Sequence, residues 1–128
     1  MSLSKPKPIA WMGDSLEQLS SFPIGAKRVI GFGLYQAQNG ERHVDAKPLG
    51  SHIEIVADAE SDTYRGVYTV KLSGRVYVLH CFKKKSKHGI ATPKRELELI
   101  EARYKQAKRL HECRGKENVK SKTPNWKR

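Results

Sequence analysis

The sequence YRGVYTVKLSGRVYVLHCF at residues 64–82 contains two runs of β-branched and aromatic residues, which lie on either side of a turn at Ser73-Gly74. Two such runs joined by a short turn predict a β-hairpin. The second run ends at Phe82 and continues directly into a cluster of cations, KKKSKHG at residues 83–89. The hairpin therefore brings positive charge to one edge of the fold. A surface of this kind binds anions, and this density of charge indicates a polyphosphate such as RNA.

The composition of the whole chain agrees with a nucleic-acid partner. Its 128 residues are enough for one domain with its own core. Lys and Arg number 25 against 13 Asp and Glu, which gives a formal net charge of +12. This excess favours polyanions; the alternative is a charge that only keeps a basic domain dispersed. No apolar run reaches the length of a membrane-spanning helix, so no membrane partner is predicted.

The chain has two cysteines, Cys81 and Cys113, and no Cys-x-x-Cys pair, so a structural zinc site is not predicted. The first residues lack the apolar segment of a signal peptide, and we therefore expect a cytoplasmic protein with reduced thiols. Walker-type phosphate loops, Gly-x-Ser-x-Gly elbows and His-Glu-x-x-His motifs are absent from the sequence. These absences argue against a nucleotide hydrolase, a serine hydrolase and a metalloenzyme, and no cofactor or metal is predicted.

Hydrophobic periodicity and capping signals divide the chain into predicted elements. They predict a strand at 9–11, helices at 15–22 and 24–38, a polar connection at 41–51, a strand at 52–58, the hairpin, and a helix from Pro93 to about Cys113 that stops at Gly115. The buried stripe of this last helix is predicted to contain Leu97, Ile100, Tyr104, Ala107 and Leu110. The predicted fold class is α+β, with N-terminal helices packed on one face of a small antiparallel sheet and a C-terminal helix. Residues 1–113 are predicted to form the domain, and residues 114–128 a flexible basic tail.

The hairpin contains cations that are suited to RNA chemistry. Cleavage needs no metal when the 2′-hydroxyl of the RNA attacks the adjacent phosphate and the protein supplies charge and proton exchange. Arg65 is a candidate phosphate clamp, or alternatively the ion-pair partner of Glu54. Lys83 and Lys84 are candidates for stabilising charge on phosphorus, and a lysine crowded by cations has a lowered pKa that suits it to proton exchange. The alternative for the lysine run is a solvated loop.

His80 is a candidate general acid or base. Strand alternation gives it the same face as Val76, Val78 and Phe82, so the alternative is a packed core histidine. Other basic residues that follow the hairpin are predicted to bind RNA: Lys85, Lys87, His88, Lys94 and Arg95.

Together these residues resemble the signature of the phage-derived, HigB-like toxins of the RelE/ParE superfamily. The resemblance lies in YRGVY at 64–68, YVLHCFKKKS at 77–86 and Thr92-Pro93, preceded by KPLG at 47–50 and HIEI at 52–55. It covers roughly residues 9–111. The run HCFKKKS at 80–86 with Thr-Pro downstream is fairly specific for that group, whereas the individual residues are not.

The resemblance implies a RelE-like fold and a ribosome-dependent mRNA endoribonuclease that uses no metal. It also implies a cognate helix-turn-helix antitoxin, with operator DNA bound only through the toxin–antitoxin complex. Carried over by position, the strand arginine of the family falls on Arg65 and its histidine on His80. The basic residues after the last strand fall on Lys83, Lys84 and Lys85.

The chain departs from the family pattern in two places. Gly66 stands where a bulkier apolar residue is common, which predicts a loosened or bulged strand. The basic tail is longer than the fold needs. Two other functions stay open, because the same fold hosts ParE-type gyrase poisons and a non-enzymatic nucleic-acid-binding module would carry similar charge. The density of cations favours RNA cleavage over gyrase inhibition.

Overall fold

A computed structural model of the protein describes residues 6–84 and 92–120, with side chains as far as residue 113. Its elements are β1 (Ile9–Trp11), α1 (Ser15–Ser20), α2 (Ile24–Gln38), β2 (Ala46–Leu49), β3 (His52–Ala59), β4 (Asp62–Thr69), β5 (Val76–Lys84) and α3 (Lys94–Lys120). No helix in these described ranges combines the length and the apolar character needed to cross a membrane.

The strands form one five-stranded sheet in the order β1-β5-β4-β3-β2. The short β1 pairs parallel to β5, and all other pairs are antiparallel. Gly74 has a φ of 88° in the connection between β4 and β5, which is the turn expected there. The predicted α+β fold is confirmed.

The edge strand β2 lies in the segment 41–51 that was predicted as a polar connection, and that prediction was wrong. Lys47 and Pro48 obscure the strand in the sequence. Pro48 is acceptable because an edge strand leaves one side of its backbone without a partner strand. The strand is specified by pairing with β3, in which Lys47 lies opposite Glu54 and Leu49 opposite His52.

Two apolar clusters cover the two faces of the sheet. On the first, here called the α2 face, side chains of α1 and α2 pack on residues that include Ile55, Tyr68 and Val78. On the opposite face, here called the α3 face, Ile100 and Ala107 of α3 pack in a smaller cluster. The sheet is thus the middle layer, and α3 alone among the described helices covers the second face with its Ile100 and Ala107 side chains.

Two glycines let α2 lie close to the sheet. A Cβ atom at Gly33 would lie 2.6 Å from Cδ1 of Ile55, and one at Gly66 would lie 2.7 Å from Cγ2 of Ile30. Gly66 itself pairs in regular register with Ile55 and Cys81. The prediction that Gly66 loosens or bulges its own strand was therefore wrong, because the residue serves helix–sheet packing.

The hairpin does contain an irregularity, which lies between Val67 and Tyr68 of β4. Val67 pairs with His80 and Tyr68 pairs with Val78, so Leu79 is an extra residue on β5. A bulge of this kind shifts the alternation of the strand by one residue. His80 consequently lies on the α3 face with Phe82, whereas Val76 and Val78 lie on the α2 face. The predicted shared face of His80, Val76 and Val78 was wrong for this reason.

Helix α3 differs from its prediction in two respects. Its backbone continues to Lys120 instead of stopping at Gly115, and a glycine inside a helix costs only about 1 kcal/mol, which a 27-residue helix can absorb. Of its predicted stripe, Ile100 and Ala107 are buried, whereas Leu97 and Leu110 are 37% and 41% exposed. Helix α1 ends at Ser20, two residues before the predicted end at Phe22.

Candidate functional site

The centre of the α3 face holds an ion pair between Arg65 of β4 and Glu54 of β3. Nη1 of Arg65 donates a hydrogen bond of 2.9 Å to Oε2 of Glu54. The two side chains are only 11% and 3% exposed. Nε of Arg65 is buried and has no hydrogen-bond partner among the described residues. The guanidinium is therefore held in place by one carboxylate while part of its donor capacity stays available.

Lys84 belongs to the same face. Arg65 lies directly opposite Phe82 in the β4–β5 pairing, and Lys84 is two residues further along β5. Burial lowers the pKa of Lys84 from its ordinary value of 10.5, and the positive charges of Arg65 and Lys47 lower it further, while Glu54 acts in the opposite direction. The shift brings the ammonium nearer to proton exchange at physiological pH.

Lys47 and Thr92 complete the group. Lys47 lies opposite Glu54 across the β2–β3 pair and so shares its face. The hydroxyl of Thr92, just before α3, donates to Oε2 of Glu54 at 3.5 Å. We refer to Lys47, Glu54, Arg65, Lys84 and Thr92 as the Arg65 site. It places three cations around one buried carboxylate, a set of charges suited to a phosphate.

His80 is buried where β5 contacts α3. Nη1 of Arg103 donates to Nδ1 of His80 at 3.1 Å, and Nε2 lies 2.6 Å from Oε1 of Glu96. A guanidinium has no acceptor, so Nδ1 must accept and Nε2 must carry the hydrogen that is donated to Glu96. The ring also stacks on Phe82, with centroids 4.8 Å apart. Both nitrogens thus tie β5 to α3, and the catalytic role of His80 stays a prediction.

Arg103 extends this network to the start of α1. Its Nη1 donates to the carbonyl of Leu79 at 3.0 Å, and its Nη2 donates to Oδ1 of Asp14 at 2.9 Å. The hydrogen bond from Arg103 holds the pKa of Asp14 below its usual 3.8. Glu96 and Arg103 were not predicted from the sequence. The available signal was their position on the helix face of Ile100, where charged side chains need buried partners.

The remaining predicted site residues are dispersed. Lys83 lies on the opposite face of β5 from Lys84, is 45% exposed, and has Nζ 3.7 Å from Oδ2 of Asp62. The structure therefore does not bring Lys83 to Arg65. Lys94 is 88% exposed and lies 4.0 Å from Glu98, and Arg95 is also exposed. The predicted RNA-binding residues at positions 85, 87 and 88 lie outside the described residues.

The described ranges, residues 6–84 and 92–120, contain no group of three or more His, Cys, Asp or Glu side chains placed to hold a metal ion. Burial raises the pKa of Cys81 to about 12, so its thiol is a packing group and not a nucleophile.

One comparison with known proteins gave a match. The model of the family described as "Phage derived protein Gp49-like (DUF891)" matches residues 17–105. The match includes α2, strands β2 to β5 and all five residues of the Arg65 site. No curated protein and no solved structure matches the chain.

Proposed function

Because the chain belongs to the phage-derived Gp49-like family, which is a RelE-type, toxin-like family, we propose that it is the toxin of a type II toxin–antitoxin system. The proposed activity is that of a HigB-like mRNA endoribonuclease, which acts on the ribosome in the cytoplasm and needs no metal. Its partners are mRNA, the ribosome and a cognate helix-turn-helix antitoxin. Operator DNA is bound only through the complex with that antitoxin.

The observation that best supports this proposal is the environment of the Arg65 side chain. The side chain is nearly buried, is oriented by Glu54, and has an Nε–H with no partner in the described chain. Buried polar groups are normally satisfied, and one that is not requires an explanation. A phosphate oxygen is a suitable partner, because a guanidinium binds phosphate through two parallel hydrogen bonds.

The proposed reaction is an internal transfer at phosphorus. The 2′-oxygen forms a bond to the adjacent phosphorus, the bond to the 5′-oxygen breaks, one proton leaves the 2′-hydroxyl, and one proton is added to the 5′-oxygen. Arg65 and Lys84 stabilise the additional negative charge on the phosphate oxygens. Lys84, with its lowered pKa, is also the residue best suited to supply the proton for the 5′-oxygen.

The rest of the RNA is proposed to follow the basic segment after β5. Lys94 and Arg95 are exposed at the start of α3, at the end of the chain segment that begins at Lys84. Lys85, Lys87 and His88, which lie outside the described residues, are proposed to bind RNA as well. These contacts are to backbone phosphates, and they increase affinity without selecting a sequence.

A reconstituted translation system with a defined mRNA tests the proposal. The sharpest comparison uses two neighbouring lysines on opposite faces of β5. Lys84→Met removes a cation from the Arg65 site, and we expect the cleavage rate to fall by about 10²–10³. Lys83→Met removes the same charge from the other face, and we expect a change of no more than a few-fold from weakened general attraction.

The outcomes separate the candidate functions. Equal losses in the two variants would show that only net charge matters and would contradict the assigned site. Intact mRNA together with loss of DNA supercoiling in cells would indicate a gyrase inhibitor. Salt-sensitive RNA binding without cleavage, even on ribosomes, would indicate a non-enzymatic binding module.

A further inference from the structure

The outer side of α2 exposes large apolar side chains. Ile24 is 61% exposed, Phe32 53% and Tyr35 56%, although the opposite side of the same helix is packed on the sheet. At 100° per residue these three positions lie within one quarter of the helix circumference. Phe32 and Tyr35 contact each other, with ring centroids 6.3 Å apart, and the ring of His43 meets Phe32 edge-on at 5.6 Å. The apolar residues therefore form one ordered surface, which we call the α2 outer surface.

Gly31 lies beside these side chains and has no internal packing role. A Cβ atom at this position would meet nothing within 4 Å. Gly33, by contrast, is required by the close approach of Ile55. A glycine inside a helix is about 1 kcal/mol less favourable than alanine. Its use is explained if another chain approaches the backbone of α2 closely at this point.

Charge indicates which kind of partner this surface fits. Helix α2 contains Lys27 and Arg28 and no carboxylate, and the whole chain carries a net charge of +12. Arg28 is exposed on the same side of the helix as Tyr35. A second copy of this chain would bring like charges together, whereas an acidic partner would complement them. RNA would match the charge but would not require three exposed apolar anchors.

We infer that the α2 outer surface is the docking site for an acidic amphipathic helix of the antitoxin. This inference rests on the proposed function and gives the antitoxin a surface apart from the Arg65 site. From Ile24 to Tyr35 the helix rises about 16 Å, which is about three turns of a partner helix laid alongside it. Phe32 and Tyr35 are the expected anchors, because large aromatic residues contribute most at protein interfaces.

The experiment uses the full chain and, as probe, a purified small helix-turn-helix protein that is encoded directly beside its gene. The test variant is Phe32→Gln/Tyr35→Gln. The matched control is Leu97→Gln/Leu110→Gln, which removes two exposed apolar side chains from α3. We expect the test variant to bind the probe at least about 30-fold more weakly, the control to bind within about 3-fold of the parent chain, and both to keep the parent cleavage rate. Gly31→Gln is a second test variant, which removes no contact and adds a side chain to the open surface, and it should weaken binding similarly.

Each possible result either supports or overturns the inference about the α2 outer surface. Unchanged binding by both test variants overturns the inference, as does the absence of any binding between the probe and the parent chain. Loss of ribosome-dependent cleavage in the test variants with unchanged probe binding also overturns it, because the surface would then face the target. If the parent chain binds the probe through this surface but neither cleaves mRNA nor stops growth, the inference holds and the proposed function fails.

Discussion

Replacement of Arg65 by alanine is expected to reduce stability as well as activity. The obvious expectation for a catalytic arginine is a folded, inactive protein. Here the arginine is also the ion-pair partner of Glu54, whose side chain is only 3% exposed. Arg65→Ala would leave this buried carboxylate without its hydrogen-bonded guanidinium. Removing one partner of a buried pair typically costs about 3–5 kcal/mol, which is a large part of the about 5–15 kcal/mol that stabilises a domain.

The double variant Glu54→Gln/Arg65→Met separates the two effects. It removes both charges of the hydrogen-bonded pair, and such replacements of a buried pair are often neutral or stabilising. We therefore expect Arg65→Ala to lower the urea midpoint by about 2 M, at a slope of about 2 kcal/mol/M. The double variant should recover most of that loss. Both variants should cleave mRNA at least about 100-fold more slowly, because neither has a guanidinium at the phosphate.

Urea unfolding, followed by circular dichroism, and ribosome-dependent cleavage measure the two quantities independently. A midpoint for Arg65→Ala within about 0.3 M of the parent chain would refute the energetic role of the buried pair. A double variant that is stable and cleaves at the parent rate would refute Arg65 as the phosphate clamp. Glu54→Gln alone serves as the control, because it retains the guanidinium and the shape of the side chain that orients it.

Three further perturbations test other parts of the structure. Because burial and Arg65 lower the pKa of Lys84, cleavage that needs its ammonium form should fall before the pH reaches 10.5. Lys84→Arg keeps the positive charge but cannot give up a proton, so it should cleave more slowly at neutral pH and should lack this alkaline fall; a pH–rate profile with the same alkaline limb would contradict this. Gly66→Ala should destabilise the fold by about 1–3 kcal/mol through overpacking, whereas Gly31→Ala should stabilise it by about 0.5–1 kcal/mol, as measured by urea unfolding. The lowered pKa of Asp14 means that its contact with Arg103 stabilises the fold above pH 3.8 and that this contribution is lost as pH falls through the lowered value; Asp14→Asn should therefore flatten the acid side of the stability profile.

Local signals were sufficient for α2, the main helix of the α2 face. The apolar spacing in α2, Pro23 before it and Asn39-Gly40 after it predicted residues 24–38, which are the observed bounds. The same kind of signal failed for β2, because its backbone is ordered by the neighbouring strand and not by its own side chains. An edge strand that contains Lys47 and Pro48 cannot be distinguished from a polar loop until its pairing with β3 is known.

The polar contacts of α3 could not be predicted from the sequence, for a related reason. Its apolar stripe is short, and charged residues complete its buried face. Nε2 of His52 in β3 lies 2.8 Å from Oε2 of Glu101. Arg103 donates hydrogen bonds to both His80 and Asp14. Each contact links residues from distant parts of the chain. The sequence can show that a charged residue shares a face with apolar ones, but it cannot show which partner neutralises it.

The choice between Lys83 and Lys84 illustrates how one backbone irregularity determines a site. Regular pairing continued from Tyr68 and Val78 would place Arg65 opposite Cys81, and strand alternation would then bring Lys83 to the face of Arg65. The extra residue Leu79 shifts β5 by one position, so Arg65 lies opposite Phe82 and Lys84 joins it instead. No side-chain pattern in residues 76–84 indicates this shift in pairing, because every residue from Val76 to Phe82 is buried, whichever face of the sheet it occupies. The sequence could therefore predict a lysine beside Arg65 but not which one, and the bulge is the physical reason that the proposal assigns the chemistry to Lys84.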